Sequence, residues 1–132
     1  MSSQKLGLFA LRLSLTIFFA VWAIEKFIKP DTTAAIWKSF YLVESLPATG
    51  SYVVGGVQSL VIVLFFFGIA RFWTYGFLLV THGIGTLLTY EKLLNPYESI
   101  NHLFIAAIPV FGALLALFLM RGEDTLFTLG RR

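Results

Sequence analysis

Four apolar runs of about 20 residues each most constrain what this chain can fold into. They cover residues 7–28, 51–70, 72–90 and 101–120. A helix needs about 20 residues to cross the ~30 Å hydrocarbon layer of a bilayer, whereas spanning strands would be shorter and strictly alternating. Because backbone groups in lipid must find partners within their own segment, the pattern predicts an all-α, integral membrane four-helix bundle with antiparallel spans.

The composition supports lipid as the main solvent. Of 132 residues, 58% are hydrophobic and only 13% are charged, and the mean hydropathy is +0.82. Soluble domains carry about 25% charged residues. We expect one membrane domain over residues 1–132, in contact with the lipid bilayer. The formal net charge of +3 does not suggest a nucleic-acid arm, and the chain has no cysteine for disulfide or thiol chemistry.

The connections between the runs differ in length. Arg71 alone separates the second run from the third, which predicts a tight hairpin, and residues 91–100 join the third run to the fourth. The first connection is long, and Asp31 is a candidate N-cap for a short helix that continues to about Ser45. This helix would lie in the membrane interface or fold back over the bundle. An ordinary interfacial loop is the alternative.

The positive residues favour one orientation. Four spans place both termini on one side, and that side would hold Lys5, Arg12, Arg71, Arg121, Arg131 and Arg132. The opposite side would hold Lys26, Lys29, Lys38 and Lys92. Because cytoplasmic loops carry the excess of Lys and Arg, we expect a multi-pass protein of the inner (plasma) membrane with both termini cytoplasmic. The opposite side is called the outer side below.

Small residues and a proline suggest how the spans pack. Four-residue spacings relate Ser51, Gly55 and Ser59 in the second run, and Thr81 and Gly85 in the third, with Gly76 and Gly83 nearby. Such seams let helix backbones approach closely in lipid. Pro109 is expected to kink the fourth span.

Several polar residues are hard to place against lipid. At ~1.5 Å per residue, Glu25, Gln58 and His82 lie about 7–13 Å from the outer ends of their spans. Asn101 and His102 open the fourth span near the outer surface. We therefore predict a polar pocket in the outer half of the bundle. Arg12, at the inner end, is interpreted as a snorkelling anchor.

Glu25 and Lys26 cannot both face the bundle interior, because successive helical residues are 100° apart. Glu25 shares one face with Phe18 and Val21, whereas Lys26 shares the opposite face with Arg12. We favour Glu25 inward, because the long stem of Lys26 reaches the head groups more easily.

The chain resembles the DoxX family of small four-helix bacterial membrane proteins. The resemblance rests on Arg12-Leu13, Glu25-Lys26-Phe27 and Pro30 in the first span, and on Gly55, Gly68 and the basic corner Arg71 around the second. Gln58 stands where that family typically has an acid, and residues 121–130 (RGEDTLFTLG) differ from its usual Gly- and Ser-containing tail. The resemblance implies a membrane subunit of quinone-linked oxidation of small sulfur compounds.

A quinone needs hydrogen-bonding groups near the interface and an apolar channel for its tail. The predicted ligand-binding residues are Glu25, Gln58, His82, His102, Asn101 and Trp22. With this interpretation the subunit passes electrons to quinone or anchors a redox partner, and it works with a protein partner or as a homo-oligomer. The residues do not indicate whether the chain is catalytic, and no metal-ligand cluster is evident.

Three other functions compete with this one. A non-catalytic scaffold or assembly protein would dock its partner through residues 31–45. A small oligomeric transporter would use Glu25 and His82 as a proton relay. A haem site would need His82 and His102 at one depth, but their predicted depths differ by roughly 9 Å.

Overall fold

The computed structural model describes residues 2–130, and all of the regular structure in this range is helical, as predicted. In chain order the helices are α1 (Ser3–Ile28), α2 (Pro30–Phe40), α3 (Ala48–Phe66), α4 (Arg71–Leu88), the short α5 (Tyr90–Leu94), a 3-10 helix (Asn101–Ala106) and α6 (Ala107–Leu119). The Ser2 hydroxyl caps α1 by accepting a hydrogen bond from the Lys5 backbone N–H. α1 ends at Ile28. The next residue, Lys29, precedes Pro30, and a residue before a proline disfavours helical torsions.

The first connection contains the predicted short helix, α2. Pro30 opens it at a position where the missing N–H costs no bond, so the expected N-cap at Asp31 is wrong. Asp31 lies instead in the first turn, where the helix dipole favours an acid. α2 ends at Phe40, earlier than predicted, and packs against both α1 and α3. It therefore folds back over the long helices.

The four long helices pack side by side. α1 contacts α3 and α6, and α4 contacts α3 and α6. The Ser51 hydroxyl near the start of α3 donates to the Lys26 carbonyl near the end of α1 at 2.8 Å. Arg71 at the start of α4 donates to the Arg121 carbonyl just after α6 at 2.9 Å. These bonds fix both pairs as antiparallel.

The apolar core is concentrated at the end of the bundle where α1 begins and α6 ends. The buried apolar side chains are Leu8, Leu15, Phe19, Ala23, Ile62, Phe65, Tyr75, Leu78, Leu114 and Leu117. Most belong to the first part of α1 and α4 and to the last part of α3 and α6. The opposite half of the bundle buries fewer large side chains.

Three segments in the described part of the chain are long and apolar enough to cross a membrane. They are α1, α3 and the continuous stretch Asn101–Leu119. In the most apolar 18 residues of each, only 28%, 22% and 11% respectively are buried. Helices that expose so many apolar side chains indicate a membrane protein. The third predicted span, α4, does not meet this criterion, because it carries polar residues such as Arg71, Thr74 and His82.

The prediction that the Glu25 face of α1 points into the bundle is wrong. Its buried stripe runs through Arg12, Leu15, Phe19 and Ala23, which is the face of Lys26, while Val21 on the Glu25 face is 62% exposed. Arg12 is completely buried and does not snorkel. Hydrogen bonds made by Arg12, described below, fix the rotation of this helix.

Glycines set two helix contacts. At Gly55 a Cβ would lie 3.0 Å from the Lys26 Cβ, so the predicted Ser51–Gly55 seam does face α1. In α4 the Thr81–Gly85 seam does not perform this role, since Thr81 is exposed. Instead, the rings of Phe118 and Phe111 in α6 pack over Gly76 and Gly83 respectively.

Near Pro109, where a kink is predicted, the structure has a change from 3-10 to α-helical winding. The segment begins as a 3-10 helix and changes to α winding at Ala107, two residues before the proline. Pro109 thus lies in the first turn of α6, where the loss of its N–H disrupts no established α-helical ladder.

Substitution of leucine at Gly55 tests the α1–α3 contact. Gly55→Leu should destabilise the protein by about 1–3 kcal/mol, because the side chain would overpack against Lys26 and Phe27. Gly56→Leu is the matched control: a Cβ there meets nothing within 4 Å. Unfolding in detergent, followed by circular dichroism, gives both values. Equal stability of the two variants would contradict the close approach.

Candidate functional site

A buried polar network lies at the end of the bundle where α1 begins. This end, formed by Arg12, Arg71 and the C-terminal tail (residues 121–130), is called the arginine end. The Arg12 guanidinium donates to the Phe66 carbonyl at 2.9 Å and to the carboxylate of Asp124. It also donates to the carbonyl of Leu126. One side chain of α1 thus joins the end of α3 to the tail.

Asp124 completes the network from the tail. Arg12 and Asp124 form an ion pair in which neither side chain is exposed. The second carboxylate oxygen accepts a hydrogen bond from the Tyr75 hydroxyl of α4 at 2.6 Å. A buried ion pair is tolerable only when further hydrogen bonds satisfy its remaining atoms, and Tyr75, Phe66 and Leu126 provide them.

Arg71 holds the same tail from the α3–α4 corner. It is 3% exposed. Its guanidinium donates to the carbonyls of Gly68, Arg121 and Gly130 at 2.9–3.0 Å and to the Thr128 hydroxyl at 3.1 Å. Within residues 2–130 its hydrogen-bond acceptors are all neutral oxygens, whereas those of Arg12 include the Asp124 carboxylate.

The corner is shaped to receive the tail. Gly68 has a φ of +64°, and a Cβ there would lie 2.6 Å from the Thr128 Cγ2. A Cβ at Gly130 would lie 2.7 Å from the Gly68 carbonyl oxygen. Between them the Leu129 N–H donates to the Phe67 carbonyl at 2.8 Å. Two glycines and one backbone bond therefore seat the tail on the corner.

Sequence reasoning did not find this network. The sequence prediction places Arg12 at the head groups and gives Asp124 no partner. A usable signal was present: Arg12 and Arg71 belong to the same predicted side, and the tail there contains the acids Glu123 and Asp124.

Gln58 and His82, two of the predicted ligand-binding residues, lie at one level. Gln58 is seven residues after Ser51, and Phe19 is seven residues before Lys26, so the antiparallel register places Gln58 level with Phe19. His82 packs edge-on against the Phe19 ring, with 5.8 Å between the ring centres. Both residues thus flank the middle of α1.

The hydrogen bonding of Gln58 and His82 differs. His82 Nε2 donates to the Ala107 carbonyl at 2.9 Å, across the α4–α6 contact. Gln58 lies on the buried stripe of α3 between Gly55 and Ile62. Its Oε1 atom is buried and has no hydrogen-bond donor among the described residues. Gln58 therefore offers an acceptor to any donor that reaches this level.

The remaining predicted residues are more dispersed. Trp22 is 42% exposed and its ring centre is 6.5 Å from that of Phe18. The Asn101 amide donates to the Asn95 carbonyl at 3.1 Å, and the next residue, His102, is exposed. Glu25 is partly buried. In residues 2–130 no side-chain hydrogen bond joins any two of the six predicted ligand-binding residues.

Tyr41, which follows α2, reaches α4 near these residues. A Cβ on Gly85 would lie 3.2 Å from the Tyr41 hydroxyl. Burial raises the pKa of this phenol above its ordinary value. The Tyr41 hydroxyl thus remains a protonated donor at neutral pH.

Two depressions lie on the surface formed by residues 2–130, and Asn101 is the one predicted ligand-binding residue that lines either of them. One, of about 320 Å³, is on the outer side and is lined by Glu91, Lys92, Asn95, Glu98, Ser99 and Asn101. The other, of about 400 Å³, is at the arginine end and is lined by Arg71, Phe72, Leu119, Arg121, Gly122 and Glu123. The described residues contain no group of three or more His, Asp or Glu side chains placed to hold a metal ion.

Comparisons with protein-family models, with curated proteins and with solved structures gave no match.

Removal of the Asp124 carboxylate tests the network. Asp124→Ala should destabilise the protein by about 3–5 kcal/mol, because it leaves the Arg12 charge buried without a counter-ion. The neighbouring Glu123→Ala, which removes an exposed acid, should change stability by less than about 0.5 kcal/mol. Detergent unfolding of both variants measures the difference.

A double-mutant cycle separates the pair from general packing. Arg12→Met combined with Asp124→Leu should be less destabilising than the sum of the two single changes, since no charge is then left unpaired. Strict additivity would show that the ion pair does not couple α1 to the tail.

Proposed function

We propose that this chain is a four-span integral membrane protein of the plasma membrane, with both termini on the cytoplasmic side. Support for a fourth span comes from the outward face of α4, where Trp73, Val80, Ile84 and Leu87 are each more than half exposed. They recur at helical spacing, as expected of a lipid-facing stripe. The antiparallel order of the four long helices agrees with four crossings. The cytoplasmic assignment rests on the sequence count, in which six Lys and Arg residues belong to the side of the termini and four to the other side.

Introduced cysteines distinguish four spans from three, because the chain has no cysteine of its own. Suitable exposed positions are Gln4→Cys, Ser45→Cys, Glu98→Cys and Thr125→Cys. With four cytoplasmic-ended spans, an impermeant maleimide should label intact spheroplasts at Ser45→Cys and Glu98→Cys, and label the other two only after lysis. If α4 does not cross, Thr125→Cys becomes labelled in intact spheroplasts and Glu98→Cys becomes protected.

The proposed activity is binding of a quinone as the small membrane subunit of a redox system. The observation that carries it is the buried Gln58 Oε1 atom without a donor, on the bundle-facing stripe of α3 and level with His82. A quinol headgroup supplies hydroxyl donors, and its tail is compatible with the apolar surroundings. The resemblance to the DoxX family points to the same chemistry. A partner protein supplies the groups that exchange electrons with the quinol.

A comparison of quinol with quinone tests this role. The reduced headgroup should raise the unfolding midpoint of the purified protein more than the oxidised one, because only the quinol donates to Gln58 Oε1. Gln58→Leu should abolish the shift, while raising the stability of the ligand-free protein by about 1 kcal/mol, since it removes an unsatisfied buried acceptor.

The control for this experiment is Val57→Leu, which changes an exposed neighbour on the same helix and should leave the quinol shift intact. An equal shift in wild type and Gln58→Leu would refute a quinol bound at Gln58.

Co-purification in mild detergent tests the alternative of a scaffold. A stoichiometric partner retained by Gln58→Leu, without any quinol response in the wild type, would favour an assembly protein that docks through α2 and the loop after it.

A further inference from the structure

The depression at the arginine end contains more positive than negative charge. Arg12 is neutralised by Asp124, but Arg71 meets only neutral oxygens in the described structure. Arg121 also lines the depression. Glu123 is the one acidic residue among those that line it. The lining therefore carries two cations and one anion. Arg71 is largely buried and has no counter-ion among residues 2–130, so an anion bound here would be stabilised by its charge.

The Arg121 guanidinium is held by two aromatic rings and donates one hydrogen bond within residues 2–130. Its guanidinium carbon lies 4.5 Å from the centre of the Phe118 ring and 5.4 Å from that of Phe72. These contacts hold the flat guanidinium in place. It donates to the Phe118 carbonyl at 2.7 Å, which uses one of its five N–H groups. The other N–H groups of Arg121 have no acceptor among residues 2–130 and could donate to a ligand.

Arg71 lines the same depression and contributes a nearly inaccessible positive charge. Four of its five N–H groups hold the tail and the corner, and the fifth, on Nη1, has no acceptor among residues 2–130. Arg71 is fixed by these bonds and is nearly inaccessible. Its charge, more than its hydrogen bonding, would act on an anion in the depression.

The lining also includes two large apolar side chains that are exposed on the surface of the bundle. Phe72 is 50% exposed and Leu119 is 67% exposed, on the two helices that meet at this site. An anion site with an apolar wall on its membrane side matches an amphiphile, which places its phosphate among the arginines and its acyl chain along the helices.

We propose that the depression between the start of α4 and the end of α6 binds the phosphate of an anionic phospholipid. Arg121 makes the direct hydrogen bonds, Arg71 contributes charge, and Phe72 and Leu119 contact the first part of the acyl chain. This site is separate from the level of Gln58, and the proposal does not depend on quinone binding.

Lipid titration of the purified protein tests this site. In a neutral detergent, phosphatidylglycerol should bind wild type more tightly than phosphatidylcholine, measured by native mass spectrometry. Arg121→Gln should weaken phosphatidylglycerol binding about fivefold, the change expected for loss of one interfacial cation. Lys5→Gln, which removes an exposed charge at the same end of the bundle, should have no comparable effect.

Two further measurements identify the ligand source. Inorganic phosphate at equal concentration should not compete with the lipid; full competition would replace the lipid by a free phosphate ion and overturn the proposal. Arg121→Lys keeps the charge and should retain part of the binding, whereas equal binding by wild type and Arg121→Gln would exclude this depression. Unchanged unfolding of the lipid-free variants shows that the fold is intact.

Discussion

The buried ion pair between Arg12 and Asp124 links parts of the chain that are 112 residues apart. It sets the rotation of α1, since Arg12 has to face α3 and the tail to reach its acceptors. It also explains why the tail folds back: without Asp124, a guanidinium would remain unpaired where neither water nor lipid can compensate it. Tyr75 extends the link to α4. The position of one arginine thus coordinates three helices and the tail.

The tail is consequently a structural element of the bundle, although its sequence is polar and carries no long helix. Arg71 supports it through four neutral acceptors, and Gly68 and Gly130 permit the close backbone approach. The arginine end is closed by these interactions and by the large buried side chains beside it. The opposite half buries fewer large side chains, and at the middle of the bundle the Oε1 atom of Gln58 has no donor in the described residues. The bundle therefore combines an end fixed by hydrogen bonds with a middle level where one buried acceptor has no donor among residues 2–130.

The rotation of α1 changes the interpretation of the charged pair Glu25–Lys26. Close approach to Gly55 brings the Lys26 Cβ and the Phe27 ring against α3, so Lys26 belongs to the packed face. Glu25 lies beside that face and is partly buried. The sequence prediction for this pair depends on how far the Glu25 and Lys26 side chains each reach toward the head groups. The orientation was decided instead by an interaction at the other end of the same helix, because a rigid helix transmits its rotation along its length.

Length and hydropathy in the sequence by themselves determined that the chain is helical and belongs in a membrane, because a bilayer permits few ways to satisfy the polar N–H and C=O groups of the backbone. The spacing of small residues predicted the seam at Gly55, and a short helix was one of two alternatives for the first connection. Only the tertiary structure decided which face of α1 is buried and what holds Arg12, since both depend on Asp124, a partner remote in sequence. Periodicity reports which residues share a helix face. It does not report which face meets another helix when every face is apolar, as in a membrane span.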